Sequence, residues 1–278
     1  MVEVGPGVPG IRVGDRVIAE TTFEICQQCE ACLEGRYNSC DQRRGLGSSA
    51  NGFFAEFVVA RGSSVHRIPD ELDYDAAALM EPLTCAVHAL LERTRIRPYD
   101  FVLVSGPGPI GLFAAQVAKI CGATVFVSGT RRGRPRLELA QRLGADGVIN
   151  TNEEDLVERV MELTGGRGVD VAVECAGVES AILGCLRSLK KHGEYVALGA
   201  MHSGELHKLD YNALFSREVR ISCACSTTPS AWNKSLRLVE ERKIHLGELV
   251  THTMKLEDWE AGFEKVLNRE AIKVVFHP

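Results

Sequence analysis

Cys26, Cys29, Cys32 and Cys40 stand in the run CQQCEACLEGRYNSC, spaced C-x2-C-x2-C-x7-C. A tetrahedral Zn2+ takes soft ligands about 2.3 Å from the metal, and thiols this close along a turning loop can converge on one point. A site whose four positions are all protein sulfur has no opening for substrate. Its work would be to hold a lobe together, not to do chemistry. Iron in a rubredoxin-like site is the competing metal, since thiolates also suit iron.

A second constellation is Gly106-Pro107-Gly108-Pro109-Ile110-Gly111. It directly follows the apolar run Phe101-Val102-Leu103-Val104-Ser105 and opens a helical stretch through Lys119. GxGxxG is a weak signal alone, but between a strand and a helix it reads as a dinucleotide fingerprint. The first glycine permits the tight turn, the second lets the backbone approach a pyrophosphate, and the third lets helix and strand pack closely. The phosphates would sit at the helix N-terminus. An NAD site usually places an acid about 20 residues past the glycines, on the ribose 2'-OH. This sequence has Ser128-Gly129-Thr130-Arg131-Arg132 there. No carboxylate repels a 2'-phosphate, and two guanidiniums could pair with it. The expected cofactor is NADP, with NAD as the alternative.

The elements that must position these residues come in two textures. Up to about residue 85 the chain is rich in glycine, turns and short alternating runs. Gly14–Ile18 and Phe54-Ala55-Glu56-Phe57-Val58-Val59 read as strands of a half-buried antiparallel structure. From about 86 to 243 strands and helices alternate. Strands are expected at 101–105, 124–128, 147–149, 169–175 and 194–198, with helices at 136–143, 153–163 and about 179–189. That alternation predicts a doubly wound parallel sheet covered on both faces. The tail, 244–278, is expected to hold a helix at 257–267 and a strand at 272–276, and to return to the first domain. The zinc lobe spans 24–42.

At 278 residues the chain can bury a substantial core, and 25% charged with 45% hydrophobic residues is ordinary for a soluble globular protein. A net charge of -5 gives no electrostatic reason to expect nucleic acid or an anionic membrane as partner. No run of eighteen apolar residues and no leader pattern occurs, so a cytoplasmic protein is expected. The remaining cysteines, Cys85, Cys121, Cys175, Cys185, Cys223 and Cys225, are scattered and mostly in apolar runs. A reducing compartment with one metal site fits them better than a disulfide framework.

A four-cysteine lobe upstream of a GxGxxG unit resembles the zinc-containing medium-chain alcohol dehydrogenase family, nearly end to end. Glu3-Val4-Gly5-Pro6-Gly7-Val8, Val13-Gly14-Asp15-Arg16-Val17 and Gly52-Phe53-Phe54-Ala55-Glu56 resemble that family's catalytic domain. Leu143-Gly144-Ala145-Asp146 is a family phrase after the second helix, and Met80-Glu81-Pro82-Leu83 with His88 resembles the polyol and threonine dehydrogenase branch. The resemblance implies a GroES-like β-barrel, here partial (1–85 and 244–278), interrupted by an NAD(P)-binding Rossmann domain. It implies reversible oxidation of a secondary alcohol or polyol, a small-molecule substrate, and a homodimer or homotetramer. It makes Glu81 the catalytic position, near the catalytic zinc or its water. The other reading of Glu81 is an acid capping its helix. His88 is expected to pack on the helix, and His66 is assigned nothing. Backbone at Cys175-Ala176-Gly177 and Leu198-Gly199 would flank the ribose and nicotinamide.

The family's catalytic zinc also takes a cysteine and a Gly-His-Glu phrase that precede the Glu3-Val4-Gly5 strand. This sequence begins at that strand, either at an internal methionine of a longer product or as a natural fragment. The expectation is cofactor binding with poor alcohol turnover. A zinc-independent quinone-type reductase and a catalytically dead nucleotide-binding protein are the rival functions.

Overall fold

A computed structural model, describing residues 1–200 and 209–278, divides into two units: residues 1–84 with 226–278, and residues 85–225. The first unit opens with β1 (Val17–Ala19), β2 (Thr22–Glu24), α1 (Glu30–Leu33), β3 (Arg44–Gly45), β4 (Val65–Arg67) and α2 (Tyr74–Ala77). β1 pairs antiparallel with β4, and β2 with β3. The Asp73 carboxylate accepts the Ala76 N–H at 2.7 Å and so starts α2. α3 (Met80–Glu92) follows; Met80, Leu83, Ala86, Val87 and Leu90 give it a buried face.

The second unit alternates as its sequence does. It runs β5 (Phe101–Ser105), α4 (Pro109–Ile120), β6 (Thr124–Gly129), α5 (Arg134–Arg142), β7 (Gly147–Asn150) and α6 (Leu156–Leu163). β8 (Val169–Glu174), α7 (Glu179–Ser188), β9 (Leu189–Ala197), α8 (Tyr211–Ser216) and β10 (Arg220–Cys223) complete it. All neighbouring strands are parallel, in the order β10-β9-β8-β5-β6-β7. Val102, Leu103 and Val104 of β5 are wholly buried, as helices on both faces require of an unbroken apolar run. α6 begins three residues later than the periodicity suggests, because Asp155 accepts the N–H groups of Val157 and Glu158 at 2.9 Å and caps it there. Numbered within the unit, the strands follow the doubly wound order 3-2-1-4-5-6, so the order reverses between β5 and β8. Ligands of such sheets bind outside the strand C-termini at that reversal.

The chain returns to the first unit with α9 (Pro229–Glu240), β11 (Val250–Lys255), α10 (Trp259–Leu267) and β12 (Lys273–His277); β11 and β12 pair in parallel. The sequence expects the crossing near 243, whereas the first unit resumes at Ser226. The difference is α9, whose buried Ser235 takes the Thr84 hydroxyl at 3.0 Å.

The strand expected at Phe54–Val59 does not form. Alternation makes a strand only where a second strand supplies a ladder, and none pairs with it among the described residues. Phe54 turns instead onto Phe263 and Phe276, with ring centroids 5.9 and 5.4 Å away. Phe57 and Val59 are left exposed.

Candidate metal lobe and cofactor crevice

The four sulfurs of Cys26, Cys29, Cys32 and Cys40 all lie within 4.8 Å of one another. Ligands about 2.3 Å from a tetrahedral centre are themselves about 3.8 Å apart. Cys26 Sγ lies 3.9 Å from Cys32 Sγ and 3.6 Å from Cys40 Sγ, so the cluster fits a four-thiolate metal. Backbone donors prepare it: the Cys29 N–H points at Cys26 Sγ (3.3 Å) and the Cys26 N–H at Cys40 Sγ (3.5 Å). The Gln28 and Cys29 amides hold the Cys26 thiol down at about 6, a thiolate at neutral pH. Desolvation and its sulfur neighbours push Cys32 up to about 12. One thiol ionises readily while another resists, as crowded sulfurs do until a cation shares their charge.

The glycine loop lies where β5 meets α4. Gly106 has φ +101°, a left-handed backbone, and a Cβ there would stand 2.9 Å from the Ala176 nitrogen. A Cβ on Gly111 would lie 2.0 Å from the Gly106 carbonyl oxygen. Before Gly108, the N-cap of α4, a Cβ would meet nothing within 4 Å. Pro109 and Ile110 then start the helix, Pro109 giving up only an N–H with no partner in the helix. Two positions are closed by packing and one is open, as a phosphate cradle requires.

The facing loop follows β8 across the strand reversal. Glu174 is buried at the strand end, and its Oε1 accepts the N–H groups of Ala176 (2.7 Å) and Gly177 (2.9 Å). Its carbonyl accepts those of Leu198 (2.9 Å) and Gly199 (2.8 Å). One residue thus gathers both loops that the sequence assigns to ribose and nicotinamide. Burial pushes the Glu174 carboxyl above the ordinary carboxylate range, against the pull of the two amides. A Cβ on Gly199 would lie 2.4 Å from Glu174 Oε2, so only glycine lets the loop close on the carboxylate. The sequence signal that could have marked Glu174 is a second acid closing a strand, Val169–Glu174, whose remaining residues apart from Asp170 are apolar.

At the end of β6, Gly129 leads into Thr130, Arg131 and Arg132. Both arginines are exposed, and the Arg131 N–H donates to Asn152 Oδ1 at 2.7 Å. A Cβ on Gly129 would press within 2.8 Å of the Pro107 ring, so this glycine serves packing of the loop as well as leaving room for charge.

Glu81 stands half-buried in the first turn of α3. Among the described residues the four cysteines are the only group of three or more His, Cys, Asp or Glu able to share a metal. Glu81 does not belong to such a group among the described residues. His88 is buried on the same helix, with Nδ1 2.8 Å from Glu92 Oε2. Among the described residues no helix is long and apolar enough to cross a membrane.

The zinc-binding dehydrogenase family model matches residues 109–241, and the alcohol dehydrogenase GroES-like domain model matches residues 1–70. A sorbitol dehydrogenase of Halalkalibacterium halodurans is 41% identical over 278 residues, covering 100% of this chain and 80% of the relative. A D-arabitol-phosphate dehydrogenase of Enterococcus avium is 38% identical over 275 residues, covering 99% and 78%. A structure from Sinorhizobium meliloti 1021, called a zinc-binding dehydrogenase and bound to NADP, superposes with TM-score 0.90 at 28% identity, covering 100% of this chain and 80% of that one. With these likenesses, the chain belongs to the zinc-binding dehydrogenase family. It is an NAD(P)-linked oxidoreductase of small molecules, built from a Rossmann unit and a GroES-like unit.

Proposed function

We propose that this chain is a cytoplasmic, zinc-holding dehydrogenase that prefers NADP(H) and acts on a secondary alcohol or polyol, as a homodimer or homotetramer. The observation that carries the reading is the meeting of the Gly106–Gly111 turn with the Ala176 backbone at the strand reversal. Cys26, Cys29, Cys32 and Cys40 would hold a structural zinc, whose sole contribution is to cross-link the lobe. Gly108, Pro109 and Ile110 would present backbone to the pyrophosphate, and Arg131 and Arg132 would meet the 2'-phosphate. Ala176, Gly177, Leu198 and Gly199, gathered by Glu174, would flank the nicotinamide ribose. Bound NADP supplies the hydride acceptor, and these residues bind and orient it. Sorbitol and arabitol phosphate, the substrates in the relatives' names, favour the polyol class.

The test is a fluorescence titration of the purified chain with NADPH and with NADH, alongside zinc analysis by atomic absorption. Tighter NADPH binding and one zinc per chain are expected. Tighter NADH binding would reverse the cofactor preference. Binding of neither would remove the dehydrogenase reading of the crevice.

A further inference from the structure

Glu20, just after β1, is completely buried in the first unit. A carboxylate withdrawn from water is costly unless donors meet its oxygens. The Tyr37 hydroxyl donates to Oε2, and Oε1 lies 2.9 Å from Nε2 of His66 on β4. The Glu20 N–H donates to the Ser64 carbonyl at 2.8 Å. His66 lies flat on Trp232 of α9, with centroids 5.1 Å apart and planes 8° apart. The Trp232 N–H in turn donates to Thr227 Oγ1 at 3.0 Å. Two guanidiniums surround the group: Arg61 lies 5.1 Å over the Tyr37 ring, and Arg43 bonds Thr22 and Ser226 hydroxyls at 2.9 and 3.0 Å.

Tyr37 belongs to the metal lobe, in the turn Tyr37–Ser39 between Cys32 and Cys40. The lobe has no core to hold it. Across residues 24–42 only Tyr37 and Cys40 are buried, and α1 buries nothing. One buried tie from the lobe to the rest of the unit is the Tyr37 phenol, docked on a carboxylate that is itself met by a stacked histidine.

We propose that Glu20 is the positioning residue of the metal lobe, fixing the Cys32–Cys40 span through Tyr37 and so setting how fast bound zinc is lost. The proposal rests on the zinc reading of the four cysteines. Zinc leaves a closed thiolate site more readily when the backbone lets a sulfur swing away, and Cys40 is three residues from the anchored phenol. Without the hydroxyl, the lobe opens more often and a buried oxygen of Glu20 loses its donor.

The experiment follows zinc transfer from the zinc-loaded full chain to 4-(2-pyridylazo)resorcinol, with hydrogen exchange measured on the same samples. Tyr37→Phe and Glu20→Ala should each release zinc about tenfold faster, as loss of one buried hydrogen bond implies. Glu20→Gln, which keeps an acceptor for Tyr37, should fall between them and the unmodified chain. The double variant Glu20→Ala/Tyr37→Phe should be no faster than either single one. Faster exchange should be confined to residues 24–42, whereas general destabilisation would spread to β5–β9. Release within twofold of the unmodified rate in Tyr37→Phe, which removes one oxygen atom only, would overturn the proposal. If the unmodified chain carries no zinc, the metal reading fails by itself, and unchanged exchange over 24–42 in Tyr37→Phe would still overturn the anchor.

Discussion

The Cys32 thiol resists ionisation, while the Cys26 thiol ionises readily. Replacing Cys32 by serine removes a soft ligand and leaves three thiolates without a fourth partner. Structural zinc contributes roughly 10 to 16 kcal/mol of apparent binding energy in finger peptides at neutral pH, so its loss should free the lobe. In Cys32→Ser, zinc content should fall to near zero and protease sensitivity should rise across residues 24–42, with the 85–225 unit still folded by circular dichroism. Full zinc retention would remove Cys32 from the site. Gly108 offers a sharper test of the crevice, since a Cβ there meets nothing within 4 Å. Gly108→Ala should cost no more than about 1 kcal/mol of stability, the usual scale of an N-cap change. Its methyl would nevertheless occupy the space before the helix end, so NADPH affinity should fall at least tenfold. Unchanged affinity with unchanged stability would mean that no pyrophosphate approaches. For the 2'-phosphate, Arg131→Ala with Arg132→Ala is a cleaner change than a carboxylate at Gly129, which would strike the Pro107 ring. The double variant should lose NADPH affinity and keep NADH affinity.

At the scale of elements, β8 delivers the residue that binds two loops. Burial raises the Glu174 carboxyl above its ordinary range, so the folded chain favours the neutral acid more than the unfolded chain does. As pH rises past the ordinary carboxylate value the unfolded state ionises first, and stability declines until the folded group has ionised too. Glu174→Gln keeps a carbonyl acceptor for the Ala176 and Gly177 amides and removes that titration. Urea unfolding at pH 4 and pH 7 should therefore show the variant gaining on the unmodified chain as pH rises; a constant difference would contradict the shift. Asp170, also on β8, has the opposite sign. Burial works upward there, but Lys190, the Phe101 N–H at 2.8 Å and Arg167 hold the carboxyl below the ordinary range. Its stabilisation is present above the unfolded pKa and is lost as pH falls through the lower folded value. Asp170→Asn keeps an oxygen for the Phe101 N–H but removes the charge that the partly exposed Lys190 and Arg167 meet, so it should be destabilising at pH 7 by about 1 kcal/mol, with the gap narrowing in acid.

For the whole molecule, the proposed cofactor crevice belongs to the second unit, and the described residues of the chain offer no group of ligands for a catalytic zinc apart from the four cysteines. Glu81 is the position that the family resemblance assigns to such an ion, and among the described residues only the four cysteines form a group of three or more His, Cys, Asp or Glu able to share a metal. Lewis-acid stabilisation of a developing alkoxide is worth several kcal/mol, and each 1.36 kcal/mol is tenfold in rate. The 278-residue chain should therefore bind NADPH yet turn over sorbitol, threonine, butanediol and simple secondary alcohols slowly or not at all. Absorbance of the reduced cofactor measures this directly. Turnover near an ordinary rate of about 10 per second would reveal a catalytic site built from other residues.

The features legible in the sequence are those whose partners lie close along the chain. Four cysteines within one short loop can hardly avoid meeting, and a glycine turn between an apolar strand and a helix has one way to run. The alternation of 101–197 likewise dictates a parallel sheet, because buried strands need helices on both faces. Tertiary structure alone decided what depends on distant neighbours. The Phe54–Val59 alternation became an exposed segment for want of a ladder partner. The return to the first unit moved from 243 to 226 because α9 packs there. Tyr37 and His66, separated by 17 and 46 residues from the Glu20 carboxylate they share, carry no spacing that marks them. A buried charge selects its donors in space after the chain has folded, and local sequence periodicity does not record that choice.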